Sequence, residues 1–330
     1  MRYEQLNVGE LTVDKIIGGG AFPNLGAGEK WYVDPTYGSN GNSGKTGNTA
    51  LKTVIAGESV LRSGYNDTLL VLPGADAFSE AIVWDKSCAH LVGIAGHLPG
   101  YLPVAITDDG VAETTDYGTT FFSLTGSGCI IKNLRFDYGN ALNTNLNFLR
   151  VEGNGNLLEN VFFRGPMSTT LADLETYDHV IVGGIGNVFR DAIFGTMWKT
   201  RSVGNNLLKF QRSTGAVAAR HTIFERCLFQ SNVDNVAVTH IDVNSEGGGG
   251  YGPQYFKACT LYFRWSDHGD QVTQAIRWGS GGLTATLHFD VDCTVWGADD
   301  VTVGTVARQG IIWAQAGATT STLGLSLNTA

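Results

Sequence analysis

The chain has 330 residues, 44 of them glycine and 7 proline, with 16% charged residues and a formal net charge of −9. That composition excludes a disordered or collagen-like chain, and its acidic balance argues against nucleic acid or an anionic membrane surface held by bulk charge. No apolar run approaches the roughly 18 residues of a membrane span.

The first segment, MRYEQLNVGELTVDKIIGGG, carries charges throughout and lacks the apolar core of a secretory signal, so the product is expected to accumulate in a cytoplasm. Residues 1–30 show only a short alternation, with Leu11, Val13, Ile16 and Ile17 ahead of three glycines. This reads as an arm that docks on a neighbouring subunit or a partner surface.

Residues 31–62 read as a lead-in loop and a capping helix. Gly44-Lys45-Thr46 looks like the end of a phosphate-binding loop, but the glycine that such a loop needs first falls on Ser39. No nucleotide site is expected, and Lys45 is expected in solvent. Leu51, Val54, Ile55 and Leu61 lie near helical spacing, so a short helix can cover the open end of the strand-rich region beyond residue 62. Gly57 weakens that helix.

From residue 63 to 330, short β-branched and aromatic runs alternate with Gly/Asn/Asp/Ser loops. They include 68–72, 81–84, 90–94, 104–106, 121–124 and 130–136. The rhythm then becomes two strands per repeat: 148–151 with 160–163, 179–182 with 191–194, 208–210 with 226–229, and 241–243 with 260–263. The runs 276–278 and 312–314 open two more repeats. Unequal spacing with a constant rhythm predicts a coil whose strands stack while its loops vary.

Stacking turns sequence positions into columns. The first-strand column is predicted as Arg150, Ile181, Lys209, Asp242, Arg277 and Trp313. It reads either as a ladder of alternating charge or as basic and acidic groups placed for proton transfer. The second-strand column is predicted as Arg135, Phe162, Ile193, Leu228, Tyr262 and Trp296. An apolar outward stripe of that kind is covered by an intrachain loop or by another subunit, which makes Phe162, Ile193, Leu228 and Tyr262 the candidate oligomer interface.

Three acidic clusters stand out: Asp173 with Glu175 and Asp178, then Asp267 with Asp270, then Asp299 with Asp300. Each offers the carboxylate pair that a glycosidase needs, although Asp-rich loops are commonly solvated turns. Asp137 and Arg164 are expected to pair at the surface. The histidines form no zinc motif, no Gly-x-Ser-x-Gly elbow occurs, and no cofactor or metal is implied. The five cysteines form no Cys-x-x-Cys pair and read as reduced thiols. Cys227, Cys259 and Cys293 fall near equivalent strand positions, where small side chains can stack.

The stretch YVDPTYGSNGNSGKTGNTALKT followed by YNDTLLVLPGADAFSEAIVWDKSCAHLVGIAG resembles the start of the pectate-lyase-like right-handed parallel β-helix superfamily. The resemblance covers about residues 31–164 and implies an all-β solenoid. That superfamily includes polysaccharide lyases, hydrolases, phage tailspikes and non-enzymatic virion proteins. The first expectation is therefore a structural virion protein, a trimeric capsid-decorating (cement) protein attached to other virion proteins, such as a major capsid protein, through its arm. The alternative is a tailspike-type polysaccharide lyase or glycoside hydrolase that meets a host surface glycan. Its site would use Lys209, Asp242 and Arg277, or Asp267 and Asp270.

Overall fold

Seven short strands, Ile82–Trp84, Thr120–Leu124, Asn147–Val151, Asp178–Val182, Asn206–Phe210, Thr239–Val243 and Ile276–Trp278, lie side by side in a single parallel sheet. The computed structural model describes residues 28–78, 81–94, 104–108, 120–137, 147–165, 178–204, 206–210, 219–243, 252–265, 272–278, 286–300 and 311–313. The expected arm residues Leu11, Val13, Ile16 and Ile17 lie outside these, as do Asp267 and Asp270.

One coil shows how the chain winds. Asn147–Val151 runs along the first face, and the chain then turns a corner at 153–155. Leu157–Arg164 supplies both remaining faces, bent once at Asn160. The next coil begins at Asp178, which pairs in parallel with Asn147. The result is a right-handed parallel β-helix with three faces. The second face carries 130–132, 157–159, Val188–Arg190, Ile223–Glu225, Gln254–Lys257 and Leu287–Phe289. The third carries 134–137, 161–164, Ile193–Phe194, Leu228–Val233, Thr260–Trp265 and Thr294–Trp296.

The two-strand rhythm of the sequence thus missed the second face. Its strands meet the third face through a single left-handed residue, at Asn133, Asn160, Asp191, Arg226 and Ala258. Asn and Asp tolerate that conformation, so no glycine or proline marks the corner. Arg226 is held there by two hydrogen bonds to Asp191, at 2.7 and 2.9 Å.

The corner from the first face to the second is left-handed as well, at Asn66, Cys88, Gly128, Gly155, Gly186 and His221. From Cys88 onward, each of these N–H groups donates to a carbonyl of the following coil, at 2.7–2.8 Å. Beside them, buried side chains close the remaining backbone groups. Asn156 Nδ2 donates to Gly126 O, while its Oδ1 accepts from Cys129 N. Asn187 Nδ2 donates to Gly153 O and Gly183 O, while its Oδ1 accepts from Asn156 N. Gln254 does the same work further along, through Thr222 N and Ala219 O.

Two phenylalanine columns fill the core. Phe189, Phe224, Phe256 and Phe289 stack with ring centroids 4.9, 4.8 and 4.5 Å apart. Phe136, Phe163, Phe194 and Phe229 stack at 5.6, 5.2 and 4.6 Å. The cysteine expectation holds. The registers Leu228↔Thr260 and Thr260↔Thr294 place Cys227, Cys259 and Cys293 on successive coils, and all five cysteines are free thiols. Each stacked thiol donates to a carbonyl of the preceding coil, at Phe189, Phe224 and Phe256.

The cap forms as predicted. The helix α1 spans Val54–Val60, with Thr53 accepting at its N-terminus from Ala56 N, and Val54 fully buried. Gly57, the weak point by propensity, is required by packing. A Cβ there would stand 2.5 Å from Leu69 Cδ2. Buried Asp76 accepts from Val54 N, and burial raises its carboxyl to about 6. Lys45 is exposed as expected, and it also lies 3.3 Å over the Trp31 ring and pairs with Glu29. An aromatic face beside a cation explains the contact.

Two column assignments need correction. Arg135, Phe162, Ile193 and Leu228 are in register as expected, but the next residue in that column is Thr260, not Tyr262. Tyr262 lies two residues on, between Gln230 and Trp296. A two-residue slip leaves the side chain on the same side of the strand, so alternation could not reveal it. Trp313 pairs with Phe289 on the second face, rather than following Arg277 on the first.

If the buried amides hold the corners together, Asn187→Leu strands Asn156 N and two carbonyls at once. A loss of about 3 kcal/mol or more is expected, read as a lowered midpoint in urea unfolding. An unchanged midpoint would show that the corner does not depend on the amide.

Candidate functional site

The first-face column runs as the sequence implied, with Arg150, Ile181, Lys209, Asp242 and Arg277 in register on successive coils. A second polar column lies beside it, through Thr120, Asn147, Asp178, Asn206 and Thr239. All five of these residues are buried. Strict alternation would place residues three apart on opposite sides of a strand. Here the two residues between the columns both point inward, as with His179 and Val180 or His240 and Ile241. The strand therefore bends, and the two polar columns meet on one surface.

That bend changes the pairing. Lys209 does not bond Asp242; its ammonium reaches across to Asp178 Oδ2 at 2.7 Å. Asp242 takes Arg277 instead, through Nε at 3.3 Å and Nη2 at 3.1 Å. Asn206 Nδ2 donates to Asp178 Oδ1 at 2.8 Å and approaches Asp242 Oδ2 at 3.5 Å. Thr239 Oγ1 donates to Asn206 Oδ1 and so fixes which end of the amide faces the carboxylates. Two carboxylates on alternate coils are thereby bridged by one amide nitrogen.

Both carboxyls are withdrawn from solvent. Asp178 and Asp242 are 5% and 3% exposed, whereas the Arg277 side chain is 40% exposed. Burial pushes the Asp178 carboxyl above its ordinary range. The like charge of Asp242 adds to this, and Lys209 and Asn206 oppose it. A carboxyl biased toward holding its proton thus stands near a second carboxyl that is bonded by arginine.

The remaining candidates fall elsewhere. Of the first acidic cluster, Asp173 and Glu175 lie outside the described residues, while Asp178 belongs to the site. Ala298–Asp300 forms a separate two-stranded sheet with Val272–Gln274. Asp137 and Arg164 approach at 3.6 Å but are less exposed than a surface pair, at 17% and 15%; Asp137 also pairs with Arg135 at 2.8 Å.

Three buried histidines are structural. His90 Nδ1 accepts from Ile130 N, His179 Nε2 bonds Phe163 O, and His240 Nε2 bonds Ser231 Oγ inside the coil. Burial pushes the His179 imidazole down to about 3. Arg201 Nη1 also donates to Ser231, at 3.0 Å, so a buried cation sits among neutral rings. Among the described residues no group of three or more His, Cys, Asp or Glu is placed to hold a metal ion.

No family model matches this chain. No curated protein sequence matches it either. Solved structures do. A pectin methylesterase in complex with a hexasaccharide superposes with a TM-score of 0.54 at 13% identity, over 88% of this chain and 91% of that one. The pectin methylesterase from Aspergillus niger gives 0.52 at 14% identity, over 89% and 87%. The pectate lyase Pel9A gives 0.45 at 12% identity, over 84% and 82%. The shared feature is the right-handed parallel β-helix. At these identities the likeness is one of fold.

The paired carboxylates make a specific expectation. In carboxyl-selective NMR the Asp178 midpoint lies above the roughly 3.9 of a free aspartate. It falls in Asp242→Asn, which removes the like charge, and rises in Lys209→Met. A midpoint indifferent to both changes would show that the two carboxyls are not coupled.

Proposed function

We propose that this chain is a tailspike-type carbohydrate-active protein of a phage particle, acting hydrolytically on an acidic polysaccharide along its first face. The observation that carries the chemistry is the Asn206 amide shared by Asp178 and Asp242. Asp178, raised by burial, donates a proton to the departing oxygen. Asp242, held by Arg277, attacks or takes a proton from water. Arg277, 40% exposed, supplies the positive group that an acidic sugar chain meets first.

A lyase is disfavoured by the same geometry. It would draw its base from Lys209 or Arg277, but the Lys209 ammonium is bound to Asp178 and an arginine stays protonated. The saccharide assignment is supported by neighbours that are pectin methylesterases, one of them solved with a hexasaccharide. The phage setting rests on the resemblance of residues 31–164.

The full chain should release reducing ends or free alcohol from polygalacturonate or methyl-esterified pectin. Asp178→Asn and Asp242→Asn should each lower turnover about 100-fold or more. Absence of turnover, or turnover indifferent to both substitutions, overturns the reading.

A second reading, a trimeric capsid-decorating protein, is favoured by one observation. Phe162, Ile193 and Leu228 form an outward apolar column on the third face, half-buried in the isolated chain. Burying such a column against two copies would stabilise a trimer. Sedimentation velocity at micromolar concentration should then give a trimer that Ile193→Asp splits, and a wild-type monomer sinks this reading. Its docking arm is lost as an idea if removing residues 1–30 leaves capsid association intact.

A further inference from the structure

The third face carries a second outward column, beside Phe162, Ile193 and Leu228, that neither reading uses. Gln230, Tyr262 and Trp296 occupy consecutive coils in register. Tyr262 is 40% exposed and Trp296 is 62% exposed. Neighbouring coils stand about 4.8 Å apart, so two aromatic side chains lie open to solvent one coil apart. Toward the N-terminal end of the same face, Trp198 is 72% exposed, with the Arg164 guanidinium 3.9 Å from its ring centroid.

The borders of this column decide what it fits. On one side Thr260 and Thr294 face each other across the coils, with their hydroxyls 3.1 Å apart. On the other side Asn232 stands in register with exposed Arg264. At the coils that carry Tyr262 and Trp296 the rings are therefore edged by hydrogen-bonding groups, and the apolar column begins only at Leu228, one coil before Thr260. A protein interface core is typically aromatic with charged groups depleted, whereas these rings are edged by hydroxyl, amide and guanidinium. A pyranose has the complementary make-up, with an apolar C–H face ringed by hydroxyls.

We infer that Tyr262, Trp296 and Gln230 form a saccharide-stacking strip on the third face, which holds a polysaccharide running along the coil axis. The strip does no chemistry. It lies on a different face from Asp178 and Asp242, so it retains the polymer whether or not the first face cleaves it.

The test is native electrophoresis of the full chain through gels containing polygalacturonate or hydroxyethyl cellulose. Retardation is expected for the wild type and equally for the Asp178→Asn/Asp242→Asn double variant, which separates this site from the proposed catalytic one. Trp296→Ala with Tyr262→Ala should weaken retardation at least tenfold in apparent affinity, while Trp296→Phe, which keeps a ring, should retain most of it. Tryptophan fluorescence should become protected from acrylamide when hexagalacturonide is added. Lack of retardation in both gels overturns the proposal, as does retardation unchanged in the alanine pair. It is also overturned if the alanine pair, without saccharide, converts an oligomer to monomer in sedimentation, because the strip is then a contact between copies.

Discussion

A parallel coil depends on its corners finding partners. Strands stacked in parallel satisfy one another along their length, but a corner interrupts the ladder and exposes backbone groups to a dry interior. In this chain the left-handed residue at the first-to-second corner, from Cys88 to His221, directs its N–H to the following coil. Asn156, Asn187 and Gln254 supply the side-chain amides that close what remains. With both kinds of contact repeated coil after coil, strand register is fixed, and fixed register aligns the phenylalanine columns and the thiol stack.

The same register assembles the polar surface. Asp178, Asn206, Asp242 and Arg277 are far apart in sequence yet lie on consecutive coils. No local motif announces such a group, because its spacing is set by the circumference of the coil and not by a turn of helix. Its electrostatics depend on a strand irregularity. Two successive inward residues bring the strand-start column against the mid-strand column, and this lets Lys209 choose Asp178 over Asp242. Without that bend the basic and acidic residues would form a simple ladder.

The legibility of the fold in the sequence has the same physical origin. The parallel coil, the capping helix, the cysteine stack and the column from Arg150 to Arg277 were all legible, because each rests on alternation or on burial of apolar runs. The second face was not, since its corners at Asn160, Asp191 and Arg226 cost one residue each and carry no glycine or proline. Asp178 looked like the tail of a polar loop because it starts its strand. Asn206 and Thr239 carried no charge to draw notice, and only their register gives them meaning. The Tyr262 slip kept the correct side of the strand but the wrong neighbour, an error to which period-two reasoning is blind.

The left-handed corners have a consequence for how such a chain can change. From Cys88 to His221 successive coils repeat the same left-handed bend, with a donor aimed at the coil that follows. Within that stretch, removing or duplicating one whole coil keeps a donor at each bend facing a carbonyl of the next coil, whereas removing half a coil would break that match. That stretch is thus divisible only in whole units. A lineage of such proteins would be expected to differ by integral coils, with the intervening loops free to take any size.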